Sequence, residues 1–144
     1  MRTGIFAILA CWALLIAGLH GQQPAPAASS GALDYDFFKS RVQPIFLAHR
    51  PGHARCVACH GQGTPLRLQA LPAGAASWSE EDSRKNFEAV KRVAQPGNAK
   101  SRLLLHALDE KAGGDIYHSG GKHWTSQSDA EWQILRTWVM GAAK

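Results

Sequence analysis

Cys56-Val57-Ala58-Cys59-His60 sets two thiols two residues apart with an imidazole directly after the second, and it holds every cysteine of the 144-residue chain except Cys11. A C-x-x-C-H run reads as a covalent attachment site for c-type haem. Two thiols at this spacing can add to the two vinyl groups on one porphyrin edge while the adjacent imidazole reaches the iron. Cys56 and Cys59 are therefore the candidate thioether-forming residues, His60 is the candidate proximal iron ligand, and one covalent haem c is the expected cofactor. A zinc site built from the same cysteines and two histidines fits less well. Paired ligands in the second half of a structural zinc site normally sit close together, whereas His106 and His118 are twelve apart. A thioredoxin-like dithiol would need a βαβ context, and the pattern around the motif is helical.

The chain opens with Arg2, an uncharged apolar run from Gly4 to Leu19, and a small-residue stretch rich in Pro and Ala from Gly21 to Gly31. This is the order of a secretory signal peptide. The run falls short of the roughly 20 residues that a spanning helix prefers, so cleavage is expected over retention as an N-terminal membrane anchor. Cys11 loosely resembles a lipobox cysteine in Leu9-Ala10-Cys11, but the apolar run continues beyond it. The expected organisation is a signal peptide and the start of a linker over residues 1–28, with an uncertain cut site, and one domain over 29–144. An exported, periplasmic location follows, with a membrane-anchored form as the alternative. Export also suits the cysteine usage, because both remaining thiols are committed to the motif in a compartment that favours disulfides.

Net charge is +5, and +4 once Arg2 leaves with the leader. A mild positive excess suits an acidic redox partner. Nucleic-acid binding would want denser basic clusters with stacking aromatics, and is not expected. Oligomeric state is not legible.

Around the motif, apolar residues recur with helical spacing. Phe37, Phe38, Val42, Ile45 and Phe46 mark an amphipathic helix from Asp34 to His49 that Pro44 kinks or divides. Gly61 to Gly74 reads as a loop. Ser77 to Glu80 has the spacing of a capping box before Phe87, Val90 and Val93, with a stop at Pro96-Gly97. Ser101 to Leu108 is a short helix candidate, Lys111 to Gly121 is glycine-rich, and Ser128 to Glu131 offers a second capping box before Trp132, Leu135, Trp138 and Val139. Gly141 then ends the last helix. No repeat and no strand pair emerges, so the class is all-α.

Helix, C-x-x-C-H, loops with short helices, then a closing helix is the order of a class I cytochrome c domain. Val42-x-Pro44-Ile45, the CVACHG turn, Pro96-Gly97-x-x-x-Ser101-x-Leu103 and Trp138-Val139-x-Gly141-Ala142 resemble the planctomycete and acidobacterial type of cytochrome c domain over residues 33–142. The resemblance implies a small helical domain wrapped around one covalent haem, with a second axial ligand from the loop before the last helix. Methionine is the common donor there, but Met140, the sole methionine after the leader, falls in the last turn of the helix instead. The loop holds His118 and His123. His118 lies in His118-Ser119-Gly120-Gly121, whose glycines allow close backbone approach, and the related domains carry an H-x-G-G element there. His118 is the expected distal ligand, with His123 as the alternative and His106 behind it. His49, His53 and Arg55 are expected at the surface, Arg55 with a haem propionate as its other option.

With both axial positions filled, the iron has no open site. The expected function is then single-electron transfer between redox partner proteins, not enzyme catalysis, at a potential below that of a His/Met cytochrome. The alternative is a haem enzyme, or a gas or peroxide sensor, of the same fold with a weak or open sixth position.

Overall fold

The computed structural model describes residues 32–142. The leader expected over residues 1–28, Cys11 included, lies outside them. The described residues form helices joined by long irregular segments, with two isolated bridges, Arg50 to His53 and Leu108 to Trp124, and no strand. The all-α class holds.

The first helical run starts at Asp34, whose carboxylate accepts the Phe37 backbone N–H at 2.6 Å and so satisfies one of the open donors of a helix start. It comprises α1 (Tyr35–Phe37), a wider π-turn over Phe38–Val42, and α2 (Gln43–Leu47). Pro44 accounts for the bulge. It has no N–H to give the carbonyl of Ser40 and its ring crowds that carbonyl. The preceding turn relaxes to an i→i+5 bond, from the Gln43 N–H to the Phe38 carbonyl. The division expected at Pro44 is thus a bulge inside one helical run, which ends at Leu47 before an extended Ala48.

The motif itself is a single turn, α3 (Cys56–His60), fastened to the core by buried Val57. Helix α4 (Glu80–Ala94) is capped by Ser79, two residues later than the expected box, its hydroxyl accepting the Asp82 N–H at 3.1 Å. Trp78 decides the start: its ring is buried and its indole N–H donates to the Gln69 carbonyl at 2.9 Å. Short α5 (Arg102–Leu105) and a 3₁₀ turn at Glu110–Ala112 follow. Helix α6 (Ala130–Val139) is capped by Asp129, not Ser128, through the N–H groups of Glu131 and Trp132.

The first and last helical runs are joined by aromatic rings. Phe38 lies 5.4 Å from both Phe87 and Trp138, centroid to centroid. The Trp138 indole N–H donates to the Asp34 carbonyl at 2.7 Å, and that of Trp132 to the Leu104 carbonyl at 2.9 Å. Each indole buries a large apolar surface and spends its one polar atom on a distant helix end.

A half-buried ion pair completes the frame. Glu131, expected to serve a capping box, turns its carboxylate inward to Arg50 instead. The Arg50 Nε donates to Glu131 Oε2 at 2.8 Å, its Nη2 donates to the same oxygen, and the Trp124 indole N–H reaches it at 3.2 Å. Arg50 also donates to the Ile45 carbonyl at 3.0 Å and lies 3.8 Å from the Cys56 sulfur. One guanidinium therefore ties the end of α2, the start of α3 and the first turn of α6 together.

Candidate functional site

Cys56, Cys59, His60, His118 and His123 all line one cavity of about 270 Å³, which is open to solvent on one side. Its walls are apolar residues from three helices and the loops between them, among them Phe46, Val93, Leu103 and Trp124. Two guanidinium groups, Arg55 and Arg102, also face it, and no Asp or Glu does. The pocket is apolar with a positive bias, so it suits a flat apolar ligand that carries negative charge. Both cysteines are free thiols, Cys59 exposed and Cys56 half-buried. Burial pushes the Cys56 thiol up, while the nearby Arg50 cation and its hydrogen bond pull the other way.

His60 closes α3. Its Nδ1 lies 2.8 Å from both the Leu66 carbonyl and the Thr64 hydroxyl. A carbonyl only accepts, so Nδ1 carries the proton and Nε2 keeps its lone pair. The turn after the motif holds the carbonyl in place through the Thr64 hydroxyl, which also donates to it, and through the Leu68 N–H to the His60 carbonyl at 2.9 Å.

His118 repeats this arrangement from the far side. Its Nδ1 is 2.6 Å from the Gly121 carbonyl, which likewise leaves Nε2 with the lone pair, and the Gly121 N–H returns a bond to the His118 carbonyl at 2.9 Å. The two glycines have separate tasks. Gly121 sits at φ +77°, a left-handed conformation that L side chains rarely adopt, and a Cβ on Gly120 would meet the His118 ring at 3.1 Å. The His60 and His118 rings are 6.3 Å apart with planes 17° from parallel. Burial pushes the His118 pKa down, towards the neutral imidazole that binds metals.

The remaining histidines surround this pair. His106 presents an edge to His118, with centroids 4.9 Å apart and planes at 78°, and its Nδ1 is 2.8 Å from the Asp115 carboxylate. His123 is 5.7 Å from His118 and 4.9 Å from His53, at 67° and 50° to them. Its Nδ1 is buried with no hydrogen-bond partner among the described residues, and burial, with Arg50 and the other histidines, pushes its pKa down to about 4. His53 is half-buried against His123, a departure from the surface position expected for it, whereas His49 is exposed. Arg55 faces the cavity. Met140 does not line it, but packs against the core at the end of α6.

Among the described residues no three His, Cys, Asp or Glu side chains converge closely enough to enclose a bare metal ion. Several supporting groups had no signal in the sequence: the Leu66 carbonyl and Thr64 behind His60, Asp115 beside His106, and the Arg50–Glu131 pair. Each is an ordinary loop or helix residue until the chain folds. Compared with protein-family models, curated proteins and solved structures, the chain matches none.

Proposed function

We propose that this chain is an exported monohaem c-type cytochrome that carries single electrons, with haem attached through Cys56 and Cys59 and held by His60 and His118. The observation that carries the proposal is the pair of near-parallel imidazoles, His60 and His118, that line one cavity. If both imidazoles held one metal ion through their Nε2 atoms, each at about 2 Å, their ring centres would lie about 6 Å apart. The 6.3 Å separation of His60 and His118 fits that span. Each ring also has Nδ1 tied to a backbone carbonyl and Nε2 left to donate, the tautomer that metal-bound histidines use.

The rest of the cavity supports the same ligand. Two free thiols stand at its edge in a C-x-x-C turn, apolar side chains from three helices and the loops between them would cover a macrocycle, and Arg55 and Arg102 would meet its carboxylates. The open side would leave one edge of the ring towards a partner. When bound, the haem supplies the one-electron couple. The chain supplies orientation, through the His60 and His118 carbonyl partners, and water exclusion, through Phe46, Leu103 and Trp124. Two imidazoles hold the potential below that of a His/Met centre. In this proposal the cytochrome resemblance, the leader over residues 1–28, the periplasmic location and the absence of catalysis stand together.

The test is a visible, near-infrared and electron paramagnetic resonance study of protein made with a c-type haem maturation system. A haem that survives acid–acetone extraction, and low-spin bis-imidazole spectra abolished in His118→Ala but kept in His123→Ala, are expected. Loss of the signature in the His123 variant alone would transfer the distal role to His123. A high-spin parent that takes up carbon monoxide at once would favour the open-site enzyme or sensor.

A further inference from the structure

The arm that carries His118 has a lock of its own. Its two ends are tied to the end of α5 and the residues just after it: the Asp115 N–H donates to the Leu105 carbonyl at 3.0 Å, and the His123 N–H to the Ala107 carbonyl at 2.9 Å. Between these ties the chain makes an excursion over residues 116–121. Ile116 and Tyr117 are 81% and 73% exposed, the most exposed large apolar side chains among the described residues, so apolar burial does little to hold the excursion down. His118 and Gly121 bond each other in both directions, which stiffens the tip as one unit.

The neck of the excursion is closed by Lys122. Its ammonium donates to the His106 carbonyl at 3.2 Å and to the Asp115 carbonyl, and so bridges the two strands of the neck. The His106 ring bonds the Asp115 carboxylate from the same side and packs edge-on against His118. Charge-assisted bonds of this kind are about twice as strong as neutral ones.

We infer that Lys122 is the positioning residue for the distal ligand: its ammonium latches the 116–121 arm, and its release lets His118 swing away from the sixth position and opens the site to small ligands. This inference rests on the haem reading above. It adds a route of opening to a centre that would otherwise have none.

The experiment uses the full haem-loaded protein in its ferrous form, with carbon monoxide as the probe. Uptake requires the iron–imidazole bond to break before the iron–carbon bond forms, with no net electron change, so its rate reports how often the arm is off. Lys122→Met keeps the aliphatic stem and removes the donors. Loss of one charge-assisted hydrogen bond corresponds to about tenfold or more in the open population, and the carbon monoxide rate should rise by that factor. Lys122→Arg, which can still bridge two carbonyls, should restore a near-parental rate, and Lys111→Met, an exposed lysine on the neighbouring 3₁₀ turn, should leave it unchanged. If Lys122→Met fails to retain haem, Lys122→Gln carries the comparison with an intermediate expected rate. A parental rate in the Lys122 variant, beside fast uptake in His118→Ala, overturns the latch and leaves the ligand assignment intact. A low-spin, slow His118→Ala overturns the assignment itself, and the latch with it.

Discussion

Glu131 offers the sharpest test of how the attachment turn is held. Its carboxylate is about one-third exposed, whereas the Arg50 side chain beside it is 12% exposed. In Glu131→Ala the guanidinium keeps the Ile45 and Ala48 carbonyls and its place 5.9 Å above the Trp124 ring. It loses its one counter-charge in contact among the described residues. Breaking a buried pair costs about 3–5 kcal/mol when nothing else compensates, and the two surviving carbonyls bring this to about 2–3 kcal/mol. The Trp124 indole N–H is left without an acceptor in a residue only 4% exposed, which adds about 1 kcal/mol. The expected loss is about 3–4 kcal/mol, a large share of the 5–15 kcal/mol typical of a domain. Glu131→Gln, which retains an acceptor, should cost about half as much. Arg50→Met should cost about 2 kcal/mol, because Glu131 can turn to water. In urea titrations of the haem-loaded protein followed by far-ultraviolet circular dichroism, the Arg50→Met/Glu131→Gln double variant should lose less than the sum of the singles by at least about 1 kcal/mol. A Glu131→Ala loss under about 1 kcal/mol, or singles that add within about 0.5 kcal/mol, would refute the reasoning.

The same pair sets thiol reactivity in opposite directions. Before haem attachment, Cys56 alkylation measured by site-resolved mass spectrometry should slow in Arg50→Met, which removes the cation that lowers the thiol, and quicken in Glu131→Ala, which removes an anion that raises it; exposed Cys59 serves as the internal reference. Stability should also depend on pH through His123. Its folded value of about 4 lies below the ordinary 6.5, so the unfolded chain takes up the proton first. The stabilisation is complete above pH 6.5 and is lost as pH falls towards 4. For a half-buried ring this amounts to about 1–2 kcal/mol after solvent screening. Equilibrium unfolding of His123→Gln at pH 7 and pH 4.5 should show a flatter dependence than the parent, and an unchanged slope would sink the account.

Local grammar was legible where a short stretch decides the outcome. The C-x-x-C-H turn forms a helical turn because five consecutive residues suffice for it, and the apolar spacing of Val90, Leu135 and Val139 identified residues that are fully buried in the fold. Pro44 announced a disturbance, since a missing N–H is a covalent fact, but whether it breaks or bulges the helix depends on what packs around it. The capping boxes were each misplaced by one or two residues for a related reason. Ser77 and Ser128 have the right spacing, but burial of Trp78 moves the first start to Ser79, and Arg50 claims the Glu131 carboxylate that would have closed the second box.

By itself, then, the sequence determined the helical class and offered the C-x-x-C-H turn and a shortlist of histidines as candidates, because residue type and spacing carry that information along the chain. Only the tertiary structure set two of those histidines apart. His118 and His123 are five residues apart and chemically alike, yet one ring lies near-parallel to His60 with its Nδ1 on a backbone carbonyl, while the other sits against His53 with a buried Nδ1 that has no partner among the described residues. That difference comes from where Gly120, Gly121 and Lys122 let the loop fold back on the end of α5. It is a property of contacts between segments, and no local pattern of residues encodes it.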